Sequence, residues 1–220
     1  KCQPININKY SSPISTDSPL HWGQKYEPVS VSIYEKIYGT IIKDYGCILH
    51  DNYDFIAASP DGINDDINTP LYGRMLEIKN IVNREITGIP KFEYWIQMQL
   101  QMETCNLNEC DFLETRFKEY EDEEQFQQDG SYTQTKSGEP KGMMLYFIKD
   151  GKPYYEYAPI GISKEEYTKW EAEMMMKNEE NTWMKTIYWY LDEISCVLVL
   201  KNKQWFENAI IELGNIWNII

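Results

Sequence analysis

The feature that most constrains this chain is an ordered set of two acids and one lysine: Asp61, Glu77 and Lys79. Asp61 stands in a Ser-Pro-Asp-Gly bend after a predicted strand, so its carboxylate is presented at a strand end. Glu77 and Lys79 are two residues apart on the next predicted strand, which places both side chains on one face. An Asp-Gly turn and a surface ion pair would explain each feature alone, but their order favours a shared site.

Two carboxylates and an ammonium group around one point suit the hydrolysis of a phosphodiester bond. A metal ion polarises the phosphate and acidifies a water molecule, while the lysine orients that water or neutralises developing charge. Asp61 and Glu77 are hard oxygen ligands that favour Mg²⁺ or Mn²⁺ over zinc, and the backbone carbonyl of Ile78 offers another oxygen. A second metal ion fits if Glu27 joins, although the helix dipole alone also explains that acid. The sequence therefore predicts a metal-dependent nuclease.

The stretch Lys91–Cys105 is predicted to be a helix with polar side chains on one face. Tyr94, Gln97 and Gln101 share that face by their spacing. A glutamine amide donates and accepts hydrogen bonds at once, so Gln97 is predicted to hold Lys79 and the nucleophilic water in register. A solvated helix face is the alternative explanation of these residue types.

The charge of the chain opposes DNA binding when it is taken as a whole. The net charge is −14, whereas DNA-binding proteins usually present a basic surface to the phosphates. A run of acid lies at Glu119–Glu124, with 5 of the 35 acidic residues, and a metal site itself requires carboxylates. We therefore expect a locally basic groove on an acidic body, with DNA contacts from Tyr94, Arg74, Arg84 and Lys91.

The order of predicted elements indicates the fold class. A length of 220 residues predicts a single domain, 1–220. Apolar periodicity predicts a first helix over Glu27–Tyr45, with Pro28 in its first turn and Gly46 ending it. Residues 121–141 lack periodicity and are predicted to form a mobile loop or hairpin tip. The remaining predicted strands are Cys47–His50, Phe55–Ser59, Arg74–Lys79, Asp111–Tyr120, Gly142–Lys149, Pro153–Ile160, Trp183–Leu191 and Val197–Leu200, and the remaining helices are Ser163 to about Asn181 and Gln204–Ile219. This order predicts an α/β (α+β) fold, a mixed β-sheet flanked by helices.

Cysteine usage and hydropathy bear on the compartment. The 5 cysteines are scattered without a C-x-x-C pair, which is typical of free thiols in a reducing, intracellular compartment. No apolar run reaches the roughly 18 residues that indicate a membrane-spanning helix. The first residues include neither Met nor an apolar signal region, which is typical of a fragment of a longer chain.

Several motifs, in this order, resemble the YqaJ-type viral recombinase family, which includes the bacteriophage lambda exonuclease, within the PD-(D/E)XK nuclease superfamily. They are His-Trp-Gly at 21–23 with Glu27, Ser-Pro-Asp-Gly at 59–62, Glu-Ile-Lys at 77–79, and Tyr-x-x-Gln-x-Gln at 94–99. The resemblance covers about residues 20–105. The ordered set is specific, whereas Glu-x-Lys alone is not.

The resemblance implies a restriction-endonuclease-like core and assigns roles to residues. Asp61 and Glu77 would bind the metal, Lys79 would be the catalytic lysine, Gln97 would support the lysine and the water, and Glu27 would lie near the metals. It also implies action on the ends of double-stranded DNA, assembly as a homo-oligomer (a dimer or a ring trimer), and cooperation with a helicase or annealing protein. Together with the Asn-, Ile-, Lys- and Tyr-rich composition, it indicates a large DNA virus, and hence the host cytoplasm or a viral factory.

Two rival functions stay open at this point. An endonuclease of the same fold would cut closed circular DNA, which an end-dependent exonuclease leaves intact. A non-catalytic domain that binds a protein partner would also suit an acidic, aromatic-rich chain. The intact set of Asp61, Glu77 and Lys79 argues against the second rival, because a decayed site would normally lose one member.

Overall fold

The computed structural model of the protein describes residue 16 and residues 18–219. Its helices are α1 (Pro19–Tyr38), α2 (Phe92–Thr104), α3 (Glu123–Gln128), α4 (Lys164–Lys177) and α5 (Lys203–Ile219). Its strands are β1 (Ile42–Lys43), β2 (Ile48–Leu49), β3 (Ala57–Ala58), β4 (Gly62–Asn64), β5 (Met75–Asn80), β6 (Glu109–Glu119), β7 (Lys141–Lys149), β8 (Lys152–Tyr157) and β9 (Thr182–Leu200).

A seven-stranded mixed sheet in the order β1-β4-β5-β6-β9-β7-β8 organises the chain. The pairing of β5 with β6 is parallel, and the other pairings in this sheet are antiparallel. A parallel pair requires a crossover, which α2 supplies. The crossover brings the start of α2 back to the sheet edge where β5 ends. The predicted fold class, a mixed β-sheet flanked by helices, is confirmed.

The central strands are covered on both faces. On one face of β5 and β6, Tyr34 of α1 packs with Leu76, Ile78 and Leu113. On the other face, α2 packs against the sheet through Met75, Met98, Met102, Cys110 and Phe112. Because side chains alternate along a strand, Glu77 and Lys79 share the α2 face with Met75. The core therefore fixes the direction in which the Glu77 and Lys79 side chains point.

Helix α1 begins and ends earlier than the predicted Glu27–Tyr45. The Ser18 hydroxyl accepts a hydrogen bond from the backbone N–H of His21, and Pro19 occupies the first turn. Gly39, with φ of 62°, ends the helix in the left-handed conformation. Pro28, predicted for the first turn, therefore lies inside the helix. The prediction placed both ends wrongly because periodicity continued past Gly39 and the local cap at Ser18 was overlooked.

Three other segments differ from the prediction. The segment Gly62–Asn64 forms strand β4, which pairs with both β1 and β5. The two predicted strands Trp183–Leu191 and Val197–Leu200 are one long strand, β9, which spans β6 and β7. Residues 121–141 contain helix α3, whose Phe126 is fully buried, rather than an irregular hairpin tip. The mobility of this segment stays a prediction.

The turn between β7 and β8 and the start of α4 agree with the predicted element bounds. Asp150 and Gly151 both have positive φ, 51° and 72°, as a tight hairpin turn between β7 and β8 requires. Ser163 and Glu166 form a capping box at the start of α4, the helix predicted from Ser163 onward. Within the described residues, Cys47, Cys105, Cys110 and Cys196 are free thiols, whereas Cys2 lies outside them. None of the described helices is long and apolar enough to cross a membrane.

Glu156 ties β8 to α4 and gives a pH-dependent contribution to stability. Its carboxylate accepts hydrogen bonds from Tyr154, Lys177 and Asn178 at 2.8–3.1 Å. Burial raises the pKa of Glu156, but these donors outweigh it and hold the pKa below its ordinary value of 4.5. A lowered pKa in the folded state stabilises the fold above pH 4.5, and this stabilisation is lost as the pH falls through the folded-state pKa.

Glu156→Gln should therefore lower the free energy of unfolding by about 1 kcal/mol at pH 7 and by much less near pH 3. Urea unfolding at the two pH values measures the difference. The exposed Glu173→Gln on α4 is the matched control and should change stability little at either pH. An equal loss at both pH values would contradict this account.

Candidate active site

Glu77, in the middle of β5, is the centre of the site and is wholly buried. Its Oε1 accepts hydrogen bonds from the ammonium of Lys79 and from Nε2 of Gln97, the latter at 2.8 Å. Its Oε2 accepts a hydrogen bond from Nε2 of Gln101 at 2.9 Å. Three donors therefore hold the carboxylate in one orientation. Gln97 was predicted to hold Lys79, but it donates its hydrogen bond to Glu77. Gln97 and Lys79 therefore share the Glu77 carboxylate as a common partner.

Asp61 contacts the backbone of β5 at Ile78, the residue that follows Glu77. It stands between β3 and β4, and its Oδ2 accepts a hydrogen bond from the Ile78 N–H at 2.6 Å. The N–H and C=O of one strand residue point to the same side of the strand, so the Ile78 carbonyl also faces the Asp61 side. The predicted oxygen ligands Asp61, Glu77 and the Ile78 carbonyl are thus neighbours.

The acids of this site repel one another. Burial first, and the nearby charge of Glu77 second, raise the pKa of Asp61 to about 7. Burial and Glu77 also raise the pKa of Glu27, whose carboxylate belongs to the same electrostatic group. The raised pKa values mean that Asp61 and Glu27 lose their protons less readily beside Glu77, and a bound cation would offset this repulsion. The arrangement is therefore electrostatically suited to bind a positive ion.

A cavity of about 600 Å³ opens onto these acids. It is lined by Glu27, Asp44 and Asp61, together with residues of α1 and of the Ser59-Pro60 bend. The charge of Asp44 adds to the rise in the Glu27 pKa, so Asp44 is an acid of this site that the sequence did not indicate. An exposed aspartate in a loop carries no local signal that would have singled it out.

The side chain of Lys79 lies next to an aromatic ring and a second ion pair. Its Nζ is 5.1 Å from the centroid of the Tyr94 ring, and the Arg84 guanidinium carbon is 5.8 Å from the same centroid. Arg84 in turn forms an ion pair with Glu114, a buried acid of β6. The structure thus brings together Lys79, Tyr94 and Arg84 as expected, and adds Glu114, which sequence reasoning missed.

Arg74 does not belong to this group. It precedes β5, at the end of the strand opposite Lys79, and its guanidinium forms ion pairs with Glu109 at 2.8 Å and Asp111 at 3.4 Å. The four strand residues 75–78 separate Arg74 from Lys79, so Arg74 lies away from this group, and its contact with DNA stays a prediction. Lys91 is exposed at the N-cap of α2, on the same side of the sheet as Lys79.

Other polar residues of the motifs hold the scaffold. Nε2 of Gln99 donates to the Leu200 carbonyl at 3.0 Å, and its Oε1 accepts from the Asn202 N–H, so Gln99 secures the end of β9. Nε2 of His21 lies 2.7 Å from the Tyr155 hydroxyl, in agreement with a structural role for this buried histidine.

The end of β5 is tied to α1 by a polar network. Asn80 accepts hydrogen bonds from the hydroxyls of Ser30 and Thr115, each at 2.7 Å, and donates one to the Gly23 carbonyl at 2.9 Å. Buried polar groups that satisfy one another in this way fix the relative position of two elements. The network therefore sets the distance between Glu27 on α1 and the acids beside β5.

No group of three or more His, Cys, Asp or Glu side chains in the described part of the chain is arranged to hold a metal ion by itself. Any ion at Asp61 and Glu77 would need oxygens of the backbone, of water or of a substrate. Mg²⁺ commonly binds in this way, with one or two carboxylates, several waters and substrate phosphates. The donor set therefore fits a hard divalent cation that is completed from outside the side chains.

Comparison with known proteins gives one family match and a viral relative. The model of the YqaJ-like viral recombinase domain matches residues 2–108. An uncharacterized protein of Acanthamoeba polyphaga mimivirus is 30% identical over 241 residues, which cover 91% of this chain and 43% of that protein. The chain thus spans less than half the length of this curated relative.

Two crystal structures of an alkaline exonuclease, LHK-Exo, from Laribacter hongkongensis are also similar. One is 29% identical, covers 46% of this chain and 52% of that chain, and has a TM-score of 0.38. The other, a complex of LHK-Exo with dAMP, is 22% identical, covers 74% and 67% of the two chains, and has a TM-score of 0.37. The residues of the site, apart from Glu114, lie within residues 2–108, the range over which the model of the YqaJ-like viral recombinase domain matches.

Proposed function

We propose that this chain is a metal-dependent deoxyribonuclease that hydrolyses phosphodiester bonds of double-stranded DNA from its ends. The observation that carries the proposal is the buried Glu77 carboxylate, held by Lys79 and Gln97, with Asp61 hydrogen-bonded to the next residue of the same strand. The match to the YqaJ-like viral recombinase domain covers all four of these residues. A surface ion pair and a plain turn would not require this burial.

We further propose Mg²⁺ or Mn²⁺ as the cofactor, bound by Asp61, Glu77 and the Ile78 carbonyl, with Glu27 nearby. The raised pKa values of Asp61 and Glu27 support this assignment, since the acids repel one another without a cation. The ligands are hard oxygens, which these ions prefer. When bound, the metal supplies Lewis acidity toward the phosphate and lowers the pKa of a water molecule.

The chain's own residues position the reacting groups. Lys79 places a positive charge beside Glu77, where it can donate a hydrogen bond to the attacking water or to a phosphate oxygen. Gln97 is exposed at the rim and retains a carbonyl oxygen that can accept a proton of that water. Gln101, wholly behind Glu77, holds the second carboxylate oxygen and is proposed to keep it from rotating.

We propose that DNA is contacted by the region around the start of α2. Tyr94, Arg84 and Lys91 lie there, on the side of the sheet that carries Lys79. The charged side chains of Arg84 and Lys91 would pair with phosphates. Away from this groove, the overall charge of −14 would make DNA binding weak and strongly salt-dependent. We also propose that the chain forms a single domain and assembles as a homo-oligomer. It would act with a helicase or annealing protein in a reducing intracellular compartment.

The test is digestion of linear and closed circular duplex DNA with Mg²⁺, with Mn²⁺ and with EDTA. We expect linear DNA to be degraded in the presence of either metal, and circles to survive. Cleavage of circles would replace the exonuclease assignment with an endonuclease of the same fold. Cleavage that persists in EDTA would exclude the metal, and absence of cleavage on all substrates would overturn the nuclease assignment for this chain.

A further inference from the structure

Glu114 on β6 is a buried carboxylate with one oxygen left open. The side chain is 1% exposed, and its Oε1 accepts the hydrogen bond of the Arg84 guanidinium. Its Oε2 is buried and has no hydrogen-bond partner among the described residues. Folded proteins rarely leave a buried acceptor without a donor, because the lost contact with water is then uncompensated. Glu114 is therefore arranged to receive one more donor.

Lys79 is placed to be that donor. The parallel register of β5 and β6 makes Lys79 and Glu114 direct partners. Adjacent strands are about 4.8 Å apart, and paired residues of parallel strands point to the same face of the sheet. The Lys79 ammonium ends a flexible four-carbon stem. It therefore has two carboxylates within the reach of its side chain, Glu77 on its own strand and Glu114 on the neighbouring one.

The ring of Tyr94 lies against both ion pairs. Nζ of Lys79 is 5.1 Å from the ring centroid, and the guanidinium carbon of Arg84 is 5.8 Å from it. The pairs Lys79–Glu77 and Arg84–Glu114 thus meet at one aromatic side chain. A lysine that exchanges Glu77 for Glu114 can keep a favourable cation–π contact with this ring.

A metal ion at Glu77 would disturb the present contact of Lys79. Glu77 Oε1 already accepts hydrogen bonds from Lys79 and Gln97, and Oε2 accepts one from Gln101. A divalent cation needs lone pairs of these oxygens and repels an ammonium group that touches the same carboxylate. Lys79 must then move away from Glu77 or weaken the binding of the cation.

We propose that Glu114 is a positioning residue that receives the ammonium of Lys79 when a divalent cation occupies Glu77, and that Arg84 holds the Glu114 carboxylate in place for this purpose. The inference rests on the proposed metal site. It gives the open oxygen of Glu114 a donor, frees Glu77 for the cation, and retains a positive charge beside the reacting phosphate.

The experiment is a double-mutant cycle read by Mn²⁺ affinity, measured from the EPR signal of free Mn²⁺. Glu114→Gln should weaken Mn²⁺ binding about tenfold, as loss of a group behind a ligand commonly does. The same change in a Lys79→Met background should have no effect, since no ammonium then competes for Glu77. Glu109→Gln is the matched control. Glu109 lies on β6, as Glu114 does, but it forms an ion pair with Arg74, away from the site.

Equal losses in both backgrounds would overturn the proposal, because Glu114 would then act through its charge or through the fold. No loss in either background would overturn it as well. If Glu114→Gln does not fold, as judged by circular dichroism, Arg84→Gln is the substitute test. Without Arg84, Glu114 is no longer held to receive Lys79, so Mn²⁺ should bind severalfold more weakly, but only when Lys79 is present; unchanged binding, or an equal loss in the Lys79→Met background, would overturn the proposal.

Failure of the proposed function and failure of the proposed role of Glu114 give different results. If the wild-type protein binds no Mn²⁺ and cuts no DNA, the proposed function is wrong and the role of Glu114 falls with it. If the wild type binds Mn²⁺ and cuts DNA but Glu114→Gln shows no dependence on Lys79, the role of Glu114 alone is wrong.

Discussion

Lys79→Met is expected to lower the rate of DNA cleavage by at least about a thousandfold while Mn²⁺ still binds. Lys79 provides the ammonium that touches the Glu77 carboxylate, and its side chain is 21% exposed. Methionine keeps much of the apolar stem beside Tyr94 but has no charge and no N–H donor. The reacting phosphate would therefore lose its nearest positive side chain, whereas Asp61 and Glu77 would be retained.

Single-turnover degradation of an end-labelled linear duplex measures this effect. Lys118→Met is the matched control, since Lys118 is an exposed lysine of β6 that pairs with Asp192 outside the site. It should cut at close to the wild-type rate. Circular dichroism should show that Lys79→Met is folded, because Gln97 and Gln101 still donate to Glu77. Cleavage by Lys79→Met at the wild-type rate would refute the assignment of this lysine.

Glu77→Gln is expected to abolish cleavage and to weaken Mn²⁺ binding by at least about a hundredfold. The amide has one oxygen instead of two, and its NH₂ group would face the donors Gln101 or Lys79, which offer no acceptor in their present orientation. The same mismatch inside the protein should lower the free energy of unfolding by about 1–3 kcal/mol. Both effects follow from the complete burial of Glu77 among three donors.

EPR titration of Mn²⁺ and urea unfolding measure the two effects in one preparation. Glu109→Gln changes an acid of the neighbouring strand that pairs with Arg74, and it should leave Mn²⁺ binding unchanged. The contrast with Lys79→Met is informative, because loss of the lysine removes catalysis but not the ligands. Wild-type Mn²⁺ affinity in Glu77→Gln would mean that the cation binds elsewhere.

Local patterns were sufficient to predict which candidate site residues share a face. The period of two along β5 puts Glu77 and Lys79 on one face, and the helical period of α2 puts Gln97 and Gln101 on one face. The alternative reading of the glutamines as a solvated face is only half right, since Gln97 is exposed at the rim but Gln101 is buried against Glu77. Residues two apart on a strand or four apart on a helix are related by backbone geometry alone, so their sequence spacing is enough.

Element ends were read well where the signal is a short-range hydrogen bond or a turn. The start of α4 at Ser163 and the turn between the strands predicted at 142–149 and 153–160 lie where the sequence indicated. The start of α1 and the strand Gly62–Asn64 were missed. A strand this short owes its existence to pairing with β1 and β5 on either side, and no period of its own marks it.

The order of Asp61, Glu77, Lys79 and Gln97 and a mixed sheet flanked by helices follow from local patterns in the sequence. The tertiary structure was needed to show that Arg74 pairs with Glu109 and Asp111 and that Glu114 lies beside Lys79. Spacing along one strand or helix is fixed by local geometry, whereas the register between β5 and β6 depends on how α2 packs across them. Neighbours that meet only through such packing leave no pattern in a single sequence.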